Sequence, residues 1–268
     1  MIILIPIDLS AHSKPTLRIA RLFQEKLGAE IHILYILDLP DIVTTTNTTG
    51  DQNCHAIPTD DENREYQIHI RSGTALDAMR NVAFEIHADM IIMPAVDRDD
   101  YGHATVNEDL NILISELGIP VLSLENGYRL KPIEHILLVA DFDFFGKGTQ
   151  IGLIKIIAAA FDCTIHLLKI VNKNDQQHLD LVTAQMKFFA EEHALDKYEI
   201  SIYPASWDKV IEQINFHNWD TQMDLICIRK DRWKNFNDLL FGSIAKRLLY
   251  DQARPLLTFK LKQYDGTY

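Results

Sequence analysis

The chain repeats itself, and this constrains its fold more than any other feature. Leu4-Ile5-Pro6-Ile7-Asp8-Leu9 aligns with Leu137-Leu138-Val139-Ala140-Asp141-Phe142 at an offset of 133 residues. Ile31-His32-Ile33-Leu34 aligns with Ile165-His166-Leu167-Leu168 at 134. Asp89-Met90-Ile91-Ile92 aligns with Asp224-Leu225-Ile226-Cys227, and Ile119-Pro120-Val121-Leu122 with Arg254-Pro255-Leu256-Leu257, both at 135. Four matches in one order at a nearly constant offset define two tandem copies of a module of about 130 residues. The copies meet near Lys131-Pro132, which divides the chain into domains 1–131 and 132–268.

Within a copy, short apolar runs alternate with helical patterns. Residues 2–7 are an Ile-rich run of strand length. Ser10 and Ser13 offer N-caps, Leu17, Ala20, Phe23 and Leu27 follow at helical spacing, and Gly28 suits a C-cap. Residues 30–36 form a second strand, 38–60 a polar loop, and 66–71 a third strand. Thr74 with Asp77 makes a capping box ahead of Leu76, Met79, Ala83 and Ile86. Strands over 90–93 and 120–124, with a helix over 110–117 between them, complete the module. Apolar strands separated by amphipathic helices imply a parallel sheet covered on both faces. The expected fold is α/β: two doubly wound, Rossmann-like domains of about five strands each.

Composition narrows the function. Apolar residues make up 47% of the 268, an ordinary globular share. No apolar run approaches the roughly 18 residues of a membrane span, and the opening Met-Ile-Ile-Leu-Ile-Pro-Ile-Asp lacks the basic start of a signal peptide. Cys54, Cys163 and Cys227 form no C-x-x-C, which predicts a reducing, cytoplasmic location. A net charge of −12 disfavours nucleic acid and anionic membranes as partners. That charge is uneven, with −10 on residues 1–133 and −2 on 134–268.

Particular residues resemble a known family. Pro6-x-Asp8-x-Ser10, the helix end Leu27-Gly28-Ala29 and the strand Glu30-Ile31-His32-Ile33-Leu34 are similar to the universal stress proteins. So are Asp224-Leu225-Ile226-Cys227-Ile228, the run Leu239-Leu240-Phe241-Gly242-Ser243-Ile244-Ala245-Lys246-Arg247-Leu248-Leu249, and Arg254-Pro255-Leu256-Leu257. The resemblance covers both copies and implies the tandem, UspA-like form of the family. It also implies an intramolecular pseudo-dimer paired through residues 121–125 and 256–260, open to further homodimerisation.

Family members that bind ATP carry Gly-x-x-Gly, nine residues, then Gly-Ser or Gly-Thr. Glycines admit close backbone approach to phosphate, and the hydroxyl lies at a helix N-terminus whose dipole favours anions. In the first copy Pro94, Asp97, Asn107 and Glu108 occupy those positions, and carboxylates crowd the place of the phosphates, so no nucleotide is expected there. In the second copy the resemblance assigns Asp141 to the adenine side and Val171 to a position flanking the base, and Gly242-Ser243-Ile244 is retained. Arg229 and Arg232 replace the first two glycines. They make the loop basic, and guanidinium groups can hold phosphate by side chain. The candidate site is therefore Asp141, Val171, Arg229, Arg232, Gly242, Ser243 and Ile244, with ATP or AMP as conceivable ligands and no certain cofactor; a degenerate loop in which Gly242 serves helix packing is the alternative.

Other patterns are weaker. Residues 97–108 match an EF-hand loop at Asp97, Asp99, Gly102 and Glu108, but Tyr101 stands where a ligand is needed and a strand precedes it. His32 and His166 hold equivalent strand positions and read as structural residues. Trp207, Trp219 and Trp233 read as packing residues of the second copy, whose third strand lacks the glycine that Gly73 supplies in the first. No hydrolase triad is visible, so no catalytic residue is assigned. The expected function is a cytoplasmic stress-response protein that binds a ligand or an unknown protein partner rather than catalysing a reaction. The alternatives are a nucleotide sensor or slow ATPase using the second copy, and a carrier of a metal or small hydrophobic ligand.

Overall fold

The computed structural model describes residues 1–7, 13–37, 66–94, 119–124, 128–140, 142, 151–172, 179–205, 209–229 and 254–259. The chain divides into two compact units, Met1–Leu130 and Lys131–Tyr268. In the first unit the described elements are β1 (Ile2–Ile7), α1 (Ser13–Leu27), β2 (Glu30–Leu37), β3 (Gln67–Ser72), α2 (Ala75–Glu85), β4 (Met90–Pro94) and β5 (Val121–Leu124). All neighbouring strands are parallel, in the order β3-β2-β1-β4-β5. Chain order reverses direction between β1 and β4, which makes that gap the switch point of a doubly wound sheet.

The second unit contains β6 (His135–Val139), α3 (Ile151–Phe161), β7 (Thr164–Asn172), α4 (Leu179–Glu192), β8 (Tyr198–Ala205), α5 (Val210–Thr221), β9 (Leu225–Arg229) and β10 (Leu256–Phe259). Its sheet is also parallel, in the equivalent order β8-β7-β6-β9-β10. The register explains the drifting sequence offset. Leu4 pairs with His32 and Ile91, while Leu137 pairs with His166 and Ile226. Offsets of 133, 134 and 135 therefore name the same rows of one sheet plan.

Local sequence accounts for the element ends. α1 stops because Gly28 takes φ +60°, and its N–H returns to Gln24 O at 2.9 Å. Asp162 holds the corresponding place after α3 with φ +57°. Thr74 caps α2, its hydroxyl accepting from Asp77 N at 3.2 Å. The reciprocal half of the box differs from expectation. Asp77 is one methylene shorter than Glu, and its carboxylate accepts from the Thr74 hydroxyl at 2.7 Å instead of reaching the backbone N–H. The repeated aspartate has a defined job too. Asp89 accepts from Ile2 N at 2.7 Å, and Asp224 accepts from Glu134 N and His135 N at 2.9 and 3.0 Å, so each ties the start of its fourth strand to the start of the first.

Helices cover the two sheet faces differently. α1 packs against β1, β2 and β4, where Phe23, Ile3, Ile5 and Ile33 are fully buried. α2 supplies Ala78, Met79, Val82 and Ala83 to a cluster with Leu4, Leu34, Ile91, Met93 and Val121. Those sheet residues alternate with the α1 set along each strand, so the two helices lie on opposite faces.

Candidate anion-binding site

In a doubly wound sheet a ligand lies beyond the carboxyl ends of the strands at the switch point. In the second unit that place is between β6 and β9. Val139 pairs with Leu168 on β7 and with Ile228 on β9, so the next row reads Lys169, Ala140, Arg229. Register extends it outward to Ile202 and Phe259. Side chains of one row in a parallel sheet share a face, so Lys169 and Arg229 flank the small Ala140 from opposite sides, with backbones about 10 Å apart. Both are buried, with 8% and 4% of their surface exposed, and both are engaged with other groups of the folded chain.

A lysine and an arginine at such depth each cost several kcal/mol unless negative charge meets them. Val171 and Phe259, on the same face beside them, are buried as well, so the charges sit against apolar walls. Among the described residues the first unit has no such pair of cations. Its equivalent row is Tyr35, Ile7 and Pro94, with Ile70 and Leu124 outside them.

Of the residues singled out in the sequence, Val171 and Arg229 are described, and both lie on this face at the carboxyl ends of the strands beside β6. Asp141, Arg232, Gly242, Ser243 and Ile244 lie outside the described residues, as do Asp97, Asn107 and Glu108 of the first copy. The EF-hand-like loop, the helix over 110–117, and the side chains of Trp207, Trp219 and Trp233 lie outside them too. Pro94 closes β4 as its last residue. Gly73 takes φ +117° after β3, whereas β8 continues its pairing one residue further, to Ala205 opposite Asn172. Lys169 was missed in the sequence. The signal was present in Leu167-Leu168-Lys169-Ile170-Val171, where a single charge interrupts a fully apolar strand.

Other groups are excluded by size or chemistry. A cavity of about 100 Å³ lies at the amino-terminal end of β7, lined by Lys155, Asp162, Cys163, Leu195 and Lys197. Nucleotide-sized ligands need about 300 Å³ or more. Cys163 in that wall donates to Ile133 O at 3.0 Å. Burial, reinforced by Asp224, Asp162 and Glu134, pushes its thiol up to about 12, and burial raises the fully enclosed Cys227 as well. Neither thiol is a nucleophile at neutral pH. A colourimetric thiol reagent at about pH 8 should leave Cys163 and Cys227 unlabelled in the native protein and label both once urea unfolds it. Prompt native labelling of either, mapped by peptide mass, would contradict their burial. Among the described residues no three His, Cys, Asp or Glu side chains converge as a metal site. Nor is any described helix long and apolar enough to cross a membrane.

No protein-family model matches the chain, and no curated protein matches it in sequence. Solved structures do match. A universal stress protein from Archaeoglobus fulgidus superposes with a TM-score of 0.68 at 14% identity, covering 97% of this chain and 98% of that one. The fold is that of the universal stress proteins. A Pseudomonas aeruginosa protein described as a universal stress protein gives 0.65 at 15% identity over 97% and 93%. The cytoplasmic domain of a prokaryotic cation chloride cotransporter gives 0.58 at 8% identity over 96% and 93%. The universal stress fold is thus shared with proteins of different descriptions, and at such identities it specifies architecture and the place of a site rather than its chemistry.

Proposed function

We propose that this chain is a cytoplasmic stress-response protein of the tandem universal stress type, acting by binding an anionic ligand in its second unit rather than by catalysis. The observation that carries this reading is the buried row Lys169, Ala140, Arg229 at the switch point of the second sheet. Its absence from the first unit supports a division of labour, in which the first copy is a scaffold and the second holds the ligand. Fold analogy contributes the stress-response class.

Charge and shape select the ligand. With Arg229 in place of a glycine, close backbone wrapping of a triphosphate is blocked, and recognition passes to side chains. A phosphate or a nucleoside monophosphate fits two cations on one row better than ATP does. The net charge of −12 argues against nucleic acids as the anion.

Calorimetric titration of inorganic phosphate, AMP and ATP into the intact protein tests this. Phosphate or AMP should bind, and Arg229→Met should weaken that binding by about tenfold or more. Ser243→Glu, which adds a repelling carboxylate where the family resemblance places the phosphate, should do the same. Binding unchanged by both substitutions, or no binding of any of the three anions, would overturn the reading.

A further inference from the structure

Both units place a histidine pair and a carboxylate toward the amino-terminal ends of the strands, on the sheet face opposite Tyr35, Ile7 and Pro94 in the first and Lys169, Ala140 and Arg229 in the second. In the first unit His32 Nδ1 lies 2.8 Å from His69 Nε2, and His32 Nε2 lies 3.1 Å from Glu30 Oε1. In the second, His166 Nε2 lies 3.1 Å from His135 Nδ1, and His166 Nδ1 lies 3.3 Å from Glu199 Oε2, within ion-pairing range though poorly aligned for a hydrogen bond. The central ring is buried in both, at 4% and 5% exposure. Yet only the central histidines are equivalent in the repeat. His69 comes from β3, whereas His135 comes from β6, and Glu30 comes from β2, whereas Glu199 comes from β8. Two different residue sets have built one arrangement.

We propose that each unit carries a one-proton site, Glu30–His32–His69 in the first and Glu199–His166–His135 in the second, which accepts a single proton and is forced open by another, so that acid loosens that edge of the sheet. In the first unit the Glu30 carboxylate accepts from His32 Nε2–H, so His32 Nδ1 presents a lone pair to the N–H of His69. In the second, His166 Nδ1 makes no hydrogen bond to Glu199, and one proton lies between His166 Nε2 and His135 Nδ1 whichever ring donates it. A first added proton leaves one of the two inner nitrogens with its lone pair, whichever ring takes it, and the hydrogen bond between the rings survives. A second proton must go to that remaining inner lone pair. Two N–H groups then face each other across 2.8 or 3.1 Å, and the rings must part.

The surroundings resist double protonation in both places. His69 is held below its ordinary value by burial, then by His32 and Arg71, against an opposing pull from Glu85. His166 is held low by burial; Glu199 pulls the other way, and His135 and His217 add to the lowering. Among the described residues the groups facing the first pair are therefore Glu30, Arg71 and Glu85, with Arg71 and Glu85 themselves bonded at 2.6 Å. The second pair faces Glu199, His217 on α5, and Asp224, whose carboxylate accepts from the His135 backbone N–H. The sign is fixed by this lowering. The unfolded chain binds these protons near the ordinary value of 6.5, so the sites favour the folded state above that pH and lose their contribution as pH falls below it.

Opening has different consequences in the two units. β3 is the outer strand of the first unit's sheet, and none of its side chains is fully buried, so the His32–His69 bond is one of few side-chain ties to β2. In the second unit His166 lies 6.3 Å, ring to ring, from His217, which in turn meets the Tyr203 hydroxyl at 3.3 Å. Acid there disturbs β6, β7, β8 and α5 together.

Amide hydrogen exchange on the intact chain, corrected for intrinsic pH effects, tests the proposal with His69→Gln and His135→Asn. The glutamine amide stands where Nε2 was and the asparagine amide where Nδ1 was, and neither titrates. Between about pH 7.5 and about pH 5, protection of residues 67–72 should fall by about tenfold or more in the wild type and stay level in His69→Gln. Protection of residues 198–203 should fall in the wild type and in His69→Gln but not in His135→Asn. A wild type with pH-independent protection, or variants that lose protection as the wild type does, would overturn it. Should a variant fail to fold, imidazole nitrogen NMR of the wild type decides: one proton entering each pair is expected, and four rings titrating as independent free imidazoles would refute the shared site.

Discussion

Replacing Phe23 by alanine is expected to cost the first unit about 3–5 kcal/mol. Phe23 has no exposed surface and closes the α1 face of the sheet over Ile3, Ile5 and Ile33, all likewise fully buried. Removing the ring forfeits its transfer free energy and leaves a void that β-branched strand residues, locked in one rotamer, cannot collapse into. Whole-domain stabilities are only about 5–15 kcal/mol, so the unfolding midpoint of this unit in urea should fall by a large fraction of its value. Phe84 is the internal control. It lies on α2 with 58% of its surface exposed, and Phe84→Ala should change stability by about 0.5 kcal/mol or less. Equal effects of the two substitutions would mean that α1 does not pack as described.

The second large effect is expected at Asp224. Its carboxylate accepts from two backbone N–H groups at the strand start, those of Glu134 and His135. Hydrogen bonds to an ionised acceptor are worth about 1.5–3 kcal/mol each where water is displaced, and less where it is not. Because the Glu134 bond is exposed and the His135 bond half-buried, Asp224→Ala should cost about 2–3 kcal/mol in total. Asp89 makes one such bond, exposed, to Ile2 N, and Asp89→Ala should cost about 1 kcal/mol. Asp224→Asn keeps one acceptor oxygen and should recover part of the loss. Urea unfolding of the three variants measures the ranking, and an Asp89→Ala effect larger than that of Asp224→Ala would contradict it.

Much of the fold could be read from the chain because its signals are local and were present twice. Runs such as residues 2–7 and 136–140 are too short for helices and too apolar for loops, and Gly28 after Leu27 marks a helix end that the structure confirms at φ +60°. The repeat at 133–135 marked the same rows in both copies, because rows of a parallel sheet tolerate loop-length changes as long as register is kept. β3 and β8 escaped that alignment. They are outer strands, little of their surface faces the core, and so little of their sequence needed to match.

The site was only half legible. Arg229 stood out because it replaced a glycine in a recognisable pattern, but Lys169 is about 60 residues away in sequence and belongs to the same row only through β6. The histidine pairs were invisible for the same reason. His32 and His166 align in sequence, yet their partners His69 and His135 come from non-equivalent strands, and no spacing rule joins them. Sequence by itself determined the repeat and the parallel α/β plan, since these rest on periodicity and residue type along the chain. Tertiary structure alone decided which cations share a face and which histidine rings meet, because strand register converts distant positions into neighbours and burial then decides what a charge or a proton there must cost.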